Sequence, residues 1–279
     1  MWRLYMITAT IVNRKGGVCK TTICRNLGYL LASKYGKRVL LIDLDSSGNL
    51  SDFFKVRRHM SDNTGAAAVL ADTNESPSNH IIDTRIDNLF ILPGNDTLGK
   101  TEVLIKLDDF NPQQFRLRNQ LSKIDSNFDY CLIDCPPTVS NAILVVNALA
   151  CSNDVIIPCT ADMDAIDGTR SMIPNIATVQ GYNDKLSIRG VVLCRIGNRS
   201  IDKQLVQEYP FSGVPRFRTC IRESINAVER SRFEGKLLRE WDPKGKEKAT
   251  RDFENLAAEY LGFDFPYPED VISPIVDYM

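Results

Sequence analysis

Short, almost wholly apolar runs alternate with segments of helical period along this chain, and that alternation limits its fold more than any other feature. Val39–Ile42 is unbroken Val-Leu-Leu-Ile. A strand is apolar on both sides when both faces of its sheet are covered, the signature of a buried parallel sheet. Leu4–Val12, Leu89–Leu92, Tyr130–Ile133, Val155–Ile157 and Gly190–Cys194 are further strand candidates. Thr21–Tyr35 reads as a helix with Ile23, Leu27, Leu30 and Leu31 on one face. Pro112–Ile124, Ser140–Ala150, Asp167–Val179, Ser200–Glu208 and Ala249–Leu261 repeat that period. Strand–helix alternation predicts an α/β class: a doubly wound, mainly parallel sheet with helices on both faces. Ligands of such sheets bind at the carboxyl ends of the strands, so chemistry is expected just after Val12, Ile42 and Ile133.

The 279 residues fit one domain over 1–263, followed by an acidic, Pro- and aromatic-rich tail over 264–279. A net charge of −1 supplies no global basic field. The charge is nonetheless uneven. Residues 199–251 hold 13 Lys/Arg and 8 Asp/Glu, whereas residues 252–279 hold 7 acidic and no basic side chains. The longest strongly apolar run, Ala142–Cys151, is half of the ~20 residues a membrane span needs. The N-terminus lacks the pattern of a signal peptide. Eight cysteines without a Cys-x-x-Cys pair read as reduced, small core residues of a cytoplasmic protein. With His59 and His80 as the only histidines, a zinc site is not expected.

After the first strand comes Asn13-Arg14-Lys15-Gly16-Gly17-Val18-Cys19-Lys20-Thr21-Thr22, then a helix. A glycine-bearing loop at a helix N-terminus gathers backbone N–H groups into an anion site. Lys20 can neutralise β/γ-phosphates and the Thr21 hydroxyl can ligate Mg²⁺. Arg14 and Cys19 occupy the two glycine positions of the ordinary Walker A pattern. Asp43 and Asp45 end the second strand on one side of it, since i and i+2 share a face. Asp134, followed by Cys135-Pro136-Pro137, ends another apolar strand, as a Walker B carboxylate does.

These three segments, with Gly48-Asn49-Leu50, Asn147-Ala148-Leu149 and Ala165-Ile166-Asp167-Gly168 in order behind them, resemble the nucleotide motifs of the ParA/MinD family, P-loop NTPases with a deviant Walker A. The resemblance spans about residues 4–262 and is nearest the short, Soj-like ParA branch. The phosphate loop begins only 14 residues from the start, so an N-terminal helix-turn-helix domain is not expected; the C-terminus has no Lys/Arg opposite apolar residues, which disfavours a MinD-type membrane tail; and Cys135 has no convincing second ligand for a shared iron–sulfur cluster.

The resemblance implies an ATPase using ATP and Mg²⁺, whose nucleotide sites lie between two subunits. Lys15 would cross to the partner's nucleotide. Gly16, Gly17, Val18, Cys19, Lys20, Thr21 and Thr22 would cradle the phosphates. Thr21 would hold Mg²⁺, with Asp43 and Asp134 supporting it through water, and Asp45 would position the attacking water. It further implies a homodimer with ATP, sequence-independent DNA binding in which Arg199 and Arg222 are candidate contacts, a ParB-type partner, and a nucleoid-associated place in the cytoplasm. The expected function is partition of plasmid or chromosomal DNA. The alternatives are a positioning ATPase for a non-DNA cargo and a degenerate nucleotide-binding adaptor without turnover. Arg57-Arg58-His59, Arg116 and Arg118 read as solvated surface; Asp162 and Asp164 sit where the family has a post-strand switch segment and read at least as well as helix caps.

Overall fold

Every residue of the Val-Leu-Leu-Ile-Asp strand is buried, as an unbroken apolar run requires. The computed structural model describes residues 5–57, 64–137 and 142–263. The tail over 264–279 and residues 58 and 59 therefore lie outside the described residues. Eight strands form one sheet: β1 (Ile7–Ile11), β2 (Val39–Asp43), β3 (Ile82–Asp83), β4 (Leu89–Leu92), β5 (Tyr130–Asp134), β6 (Asp154–Thr160), β7 (Ser187–Ile196) and β8 (Ile221–Arg222). Their order is β3-β4-β2-β5-β1-β6-β7-β8. Every pairing is parallel except β3 with β4.

The chain leaves β1 for β2 on one side and later passes from β5 to β6 on the other. The carboxyl end of β1 is therefore the switch point where a parallel sheet opens a crevice. Alternation along the strands serves two cores. On β2, Val39 and Leu41 face one apolar cluster while Leu40 and Ile42 face the other; Leu132 and Ile133 divide likewise on β5. Helices α1 (Lys20–Ser33) and α11 (Lys248–Tyr260) pack against each other over the first cluster. Helices α6 (Ile143–Cys151) and α7 (Met163–Gln180) cover the second.

Two boundaries differ from the periodicity. α1 stops at Ser33 because Gly36 turns left-handed at φ 61°, and the N–H groups of Gly36 and Lys37 return to the carbonyls of Ala32 and Leu31. The pattern over Pro112–Ile124 is broken into a 3₁₀ turn, Gln113–Phe115, and a short helix, α5 (Arg116–Leu121). The buried Asn147 amide bridges the break, accepting from Leu117 N and donating to Gln113 O. Arg116, expected as surface, is 4% exposed; it pairs with Asp108 and donates to the carbonyls of Leu70 and Ala71. Helices α2 (Asn49–Phe53), α3 (Gly65–Ala71), α4 (Leu98–Lys106), α8 (Ser200–Glu208), α9 (Ile225–Phe233) and α10 (Leu238–Trp241) complete the described set.

Behind β2, Gly94 lies against the strand end. A Cβ there would sit 2.4 Å from the Asp43 carbonyl oxygen, and the Gly94 N–H donates to Ser51 Oγ at 2.9 Å. Gly94→Ala must push backbone from backbone. A loss of about 1–3 kcal/mol in unfolding free energy is expected, measured by urea titration.

Candidate active site

The loop between β1 and α1 is held at both ends. Asn13, wholly buried, donates through its amide to Pro158 O at 2.7 Å and to Thr169 Oγ1 at 3.0 Å, and its Oδ1 accepts from Lys15 N. The start of the loop is thereby tied to β6 and α7. Lys20, at the start of α1, folds back under the loop and donates to Asn13 O at 3.1 Å and Lys15 O at 2.9 Å. An ammonium has three donors, so one remains for an anion in the cradle. Burial pushes the Lys20 ammonium below its ordinary range, with Asp134 pulling it back up. Gly17 adopts φ 78° and Cys19 φ 76°. Val18 is buried in the core, so only its backbone can face a ligand. Gly16, Gly17, Cys19, Lys20, Thr21 and Thr22 line the cleft above the loop.

Register brings two carboxylates side by side: Asp43 and Asp134 are direct partners across the β2–β5 pairing. Both are essentially inaccessible to solvent. Burial raises Asp43 to about 6, against the hydrogen bonds it accepts from Ser51, and holds Asp134 well above the carboxylate range, with the Asp43 charge adding to it. Their environments then differ. Asp134 Oδ2 accepts from Thr21 Oγ1 at 2.6 Å, while its Oδ1 is buried without a hydrogen-bond partner. An orphaned carboxylate oxygen beside a threonine hydroxyl fits a water bound to a hard cation such as Mg²⁺, which keeps several waters and needs few protein ligands.

Asp43 is bonded differently: its Oδ2 accepts from Ser51 N and Ser51 Oγ, and its Oδ1 from Asp45 N. These bonds anchor the loop that carries Asp45. Asp45 is half-buried, lines the cleft, and accepts from Ser47 N and Oγ. Arg57, expected as surface, closes the same loop by donating to Ser47 O and packing on Gly48.

The cleft holds about 630 Å³ and runs from the phosphate-type loop toward Ile221, Ile225, Val228 and Phe253. Its walls are rich in arginine: Arg25, Arg195, Arg222 and Arg232. Arg25 is buried and stacks on Phe53 at 4.3 Å; burial, then the charge of Arg232, lowers it to about 10. An anion at one end and a flat apolar group at the other are what this cleft suits.

Lys15 is not among the lining side chains; its ammonium meets Asp164 on α7 at 2.5 Å. Asp162 is the α7 cap, accepting from Ala165 N, as the sequence reading has it, whereas Asp164 is this ion-pair partner. Of the two DNA candidates, Arg199 keeps its side chain 60% exposed while pairing with Asp202. Arg222 is 12% exposed and forms a multidentate pair with Asp252, itself 2% exposed. Through this pair Arg222 ties β8 to α11. Asn13, Ser51 and Arg25 were missed. Only a polar residue at the exit of an apolar strand hinted at Asn13.

A family model described as AAA_31, an AAA domain, matches residues 6–188. The chromosome-partitioning ATPase Soj of Treponema pallidum is 31% identical over 92% of this chain and 98% of its own. The chromosome-partitioning protein ParA of Caulobacter vibrioides is 35% identical over 71% of this chain and 73% of its own. The crystal structure of cobyrinic acid a,c-diamide synthase from Mycobacterium smegmatis, with ADP and magnesium bound, is 26% identical with a TM-score of 0.75, covering 92% of this chain and 94% of that one.

Cys19 stands where a left-handed backbone favours glycine. A side chain there costs on the order of 1 kcal/mol, part of which glycine's unfolded-state entropy offsets. Cys19→Gly should therefore leave the unfolding free energy unchanged or raise it by up to about 1 kcal/mol in urea titration; a drop would mean the thiol contacts outweigh the strain.

Proposed function

Since the chain belongs to the ParA/MinD family of P-loop ATPases, to which its AAA_31 match and its Soj and ParA relatives assign it, we propose that it is an ATP- and Mg²⁺-dependent switch that dimerises on ATP, binds DNA without regard to sequence, and partitions DNA with a ParB-type partner. The observation that carries the nucleotide part is the set of Lys20, Thr21 and the unpartnered Asp134 Oδ1 at the start of α1. Lys20 offers its remaining donor to the β/γ-phosphates. Thr21, already donating to Asp134, would ligate Mg²⁺ through its hydroxyl oxygen, and Asp134 would hold a metal-bound water. The metal, when bound, neutralises phosphate charge. The apolar end of the cleft accepts the base.

Asp45 reaches the cleft on a loop fixed by Asp43, Ser51 and Arg57, which suits a group that must hold a water in line with a phosphate. Two lysines divide the work. Lys20 serves its own cleft; Lys15 lies outside it, and its cation is free to serve a partner's nucleotide only by leaving Asp164. A second cation beside the γ-phosphate stabilises charge that develops in the transition state. Among the described residues no helix is long and apolar enough to cross a membrane. A cytoplasmic, nucleoid-associated place follows from the proposed DNA binding.

Asp45→Ala should lower the ATP hydrolysis rate by about 10²-fold or more while ATP still binds, and Lys15→Ala should lose turnover similarly. Phosphate release with and without DNA reads both. Wild-type turnover in Asp45→Ala would remove the water-positioning role, and absence of turnover in the wild type under every condition would favour the adaptor alternative.

For DNA, duplex binding should need ATP and fall steeply as salt rises, because it rests on counterion release. Arg199→Gln should reduce the affinity without preventing dimerisation. Fluorescence anisotropy with a labelled random duplex measures it; equal affinity in the nucleotide-free and ATP states would exclude this arm and favour a non-DNA cargo.

A further inference from the structure

Arg25 and Arg116 are equally buried, at 4% exposed, yet only one of them is satisfied. Arg116 pairs with Asp108 and donates to two carbonyls. Arg25 forms no ion pair and no hydrogen bond with any described residue, and its Nε is buried without a partner. What it does have is the Phe53 ring of α2, 4.3 Å from its guanidinium carbon. Stacking covers a face of the guanidinium and leaves its edge, where the five N–H donors lie, unserved. A buried cation in that state is costly unless an anion reaches it. Arg25 lines the cleft, so an anion in the cleft can. It is not part of the loop site. Lys20 bends back to the loop carbonyls, whereas Arg25 lies five positions on, about 7.5 Å further along the axis of α1. The facing wall is α9. Ile225, Val228 and Arg232 are spaced to share one side of that helix, and all three line the cleft. The Leu238 N–H, just beyond α9, donates to Asn26 Oδ1 at 3.0 Å, which ties this segment to the residue next to Arg25. The positive charge of Arg232 is felt at Arg25. Of the acidic side chains on the same wall, Glu223 is engaged by Arg195, and Glu229 is exposed and pairs with neither arginine.

We propose that Arg25, with Arg232 on the facing helix, is a second phosphate subsite of the cleft, separate from the loop around Lys20, and that it takes a phosphate group outside a nucleotide's 5′ chain: one carried on the ribose, or free inorganic phosphate. The two sources offer the same chemistry. A phosphate monoester carries close to two negative charges at neutral pH, and its three terminal oxygens can meet two guanidinium forks, whereas a carboxylate matches one. A nucleotide with its 5′ chain at the loop and its base on Ile225 and Val228 has its sugar left from which to reach Arg25. The ligand class is therefore a nucleotide phosphorylated on the ribose as well as at the 5′ position, or a nucleotide together with phosphate. The subsite stands on Arg25 itself; that its occupant accompanies a nucleotide rests on the nucleotide-binding reading given above.

Isothermal titration calorimetry of the full chain with Mg²⁺ tests this by comparing ADP with ADP phosphorylated at the ribose 2′ or 3′ hydroxyl. One of the two phosphorylated forms is expected to bind at least tenfold tighter than ADP. Arg25→Met, which keeps an apolar stem on Phe53, should remove that preference, and Arg232→Gln, at an exposed position, should reduce it; if Arg25→Met does not fold, Arg232→Gln alone decides. In a second arm the chain is saturated with a non-hydrolysable ATP analogue and titrated with inorganic phosphate. No ribose-phosphate preference, together with saturable phosphate binding that the arginine variants weaken, would assign the subsite to free phosphate. A preference or a phosphate affinity that the variants leave unchanged, or neither of the two in the wild type, would overturn the proposal. Failure of the wild type to bind any nucleotide would instead remove the nucleotide reading. Inorganic phosphate titrated into the unliganded chain then decides the subsite: binding that the arginine variants weaken upholds it, and any other result overturns it.

Discussion

Two carboxylates buried side by side, Asp43 and Asp134, are the constraint around which the carboxyl end of this sheet is arranged. Parallel pairing of β2 with β5 puts them opposite each other. Neither reaches solvent, and each raises the cost of ionising the other. The fold answers with two different solutions. Asp43 accepts hydrogen bonds from Asp45 and Ser51 of its own loop and becomes part of the frame. Asp134 is left with one oxygen bonded to Thr21 and the other unpartnered. An unpartnered buried oxygen costs about 1–3 kcal/mol. A bound cation and its waters relieve that cost, which ties occupancy of the site to the stability of the strand ends themselves.

The same economy of contacts separates the two lysines of the loop. Lys20 is enclosed and hydrogen-bonded to the loop's own carbonyls, so it cannot move far without opening the loop. Lys15 is 40% exposed and held by one carboxylate on α7. An exposed pair of this kind contributes little to stability and exchanges readily for a stronger anion. A fixed lysine suits a group that builds the site; a loosely held one suits a group that leaves its subunit.

Much of this was legible in the sequence because it is local. The strands β1, β2 and β5, their terminal aspartates and the loop before α1 are consecutive patterns of residue type, and parallel pairing follows from the helices between them. What was not legible depends on partners far along the chain. The part Asp43 plays in holding its own loop was not legible, because its partner Ser51 lies eight positions on, past a turn. Arg222 looked like a surface cation because Asp252, which neutralises it, lies thirty positions away. Arg116 was misjudged for the same reason, its carbonyl acceptors being Leu70 and Ala71 at the end of α3. The short helices α2, α3 and α4 were missed because segments of so few turns carry too little period to separate from loop, and their stability comes from packing rather than propensity. Cys19 was legible as a departure, and its left-handed backbone is the one glycine favours.

In the proposed function the cleft beside this loop takes ATP and, through Lys15, a second subunit. Multi-angle light scattering of Asp45→Ala with ATP and Mg²⁺ tests both at once. A mass twice that of the chain is expected with ATP and Mg²⁺ present, a single chain without nucleotide, and a single chain again when Lys15→Ala is added. A single chain in Asp45→Ala at saturating ATP, or a dimer indifferent to nucleotide and to Lys15, would contradict it.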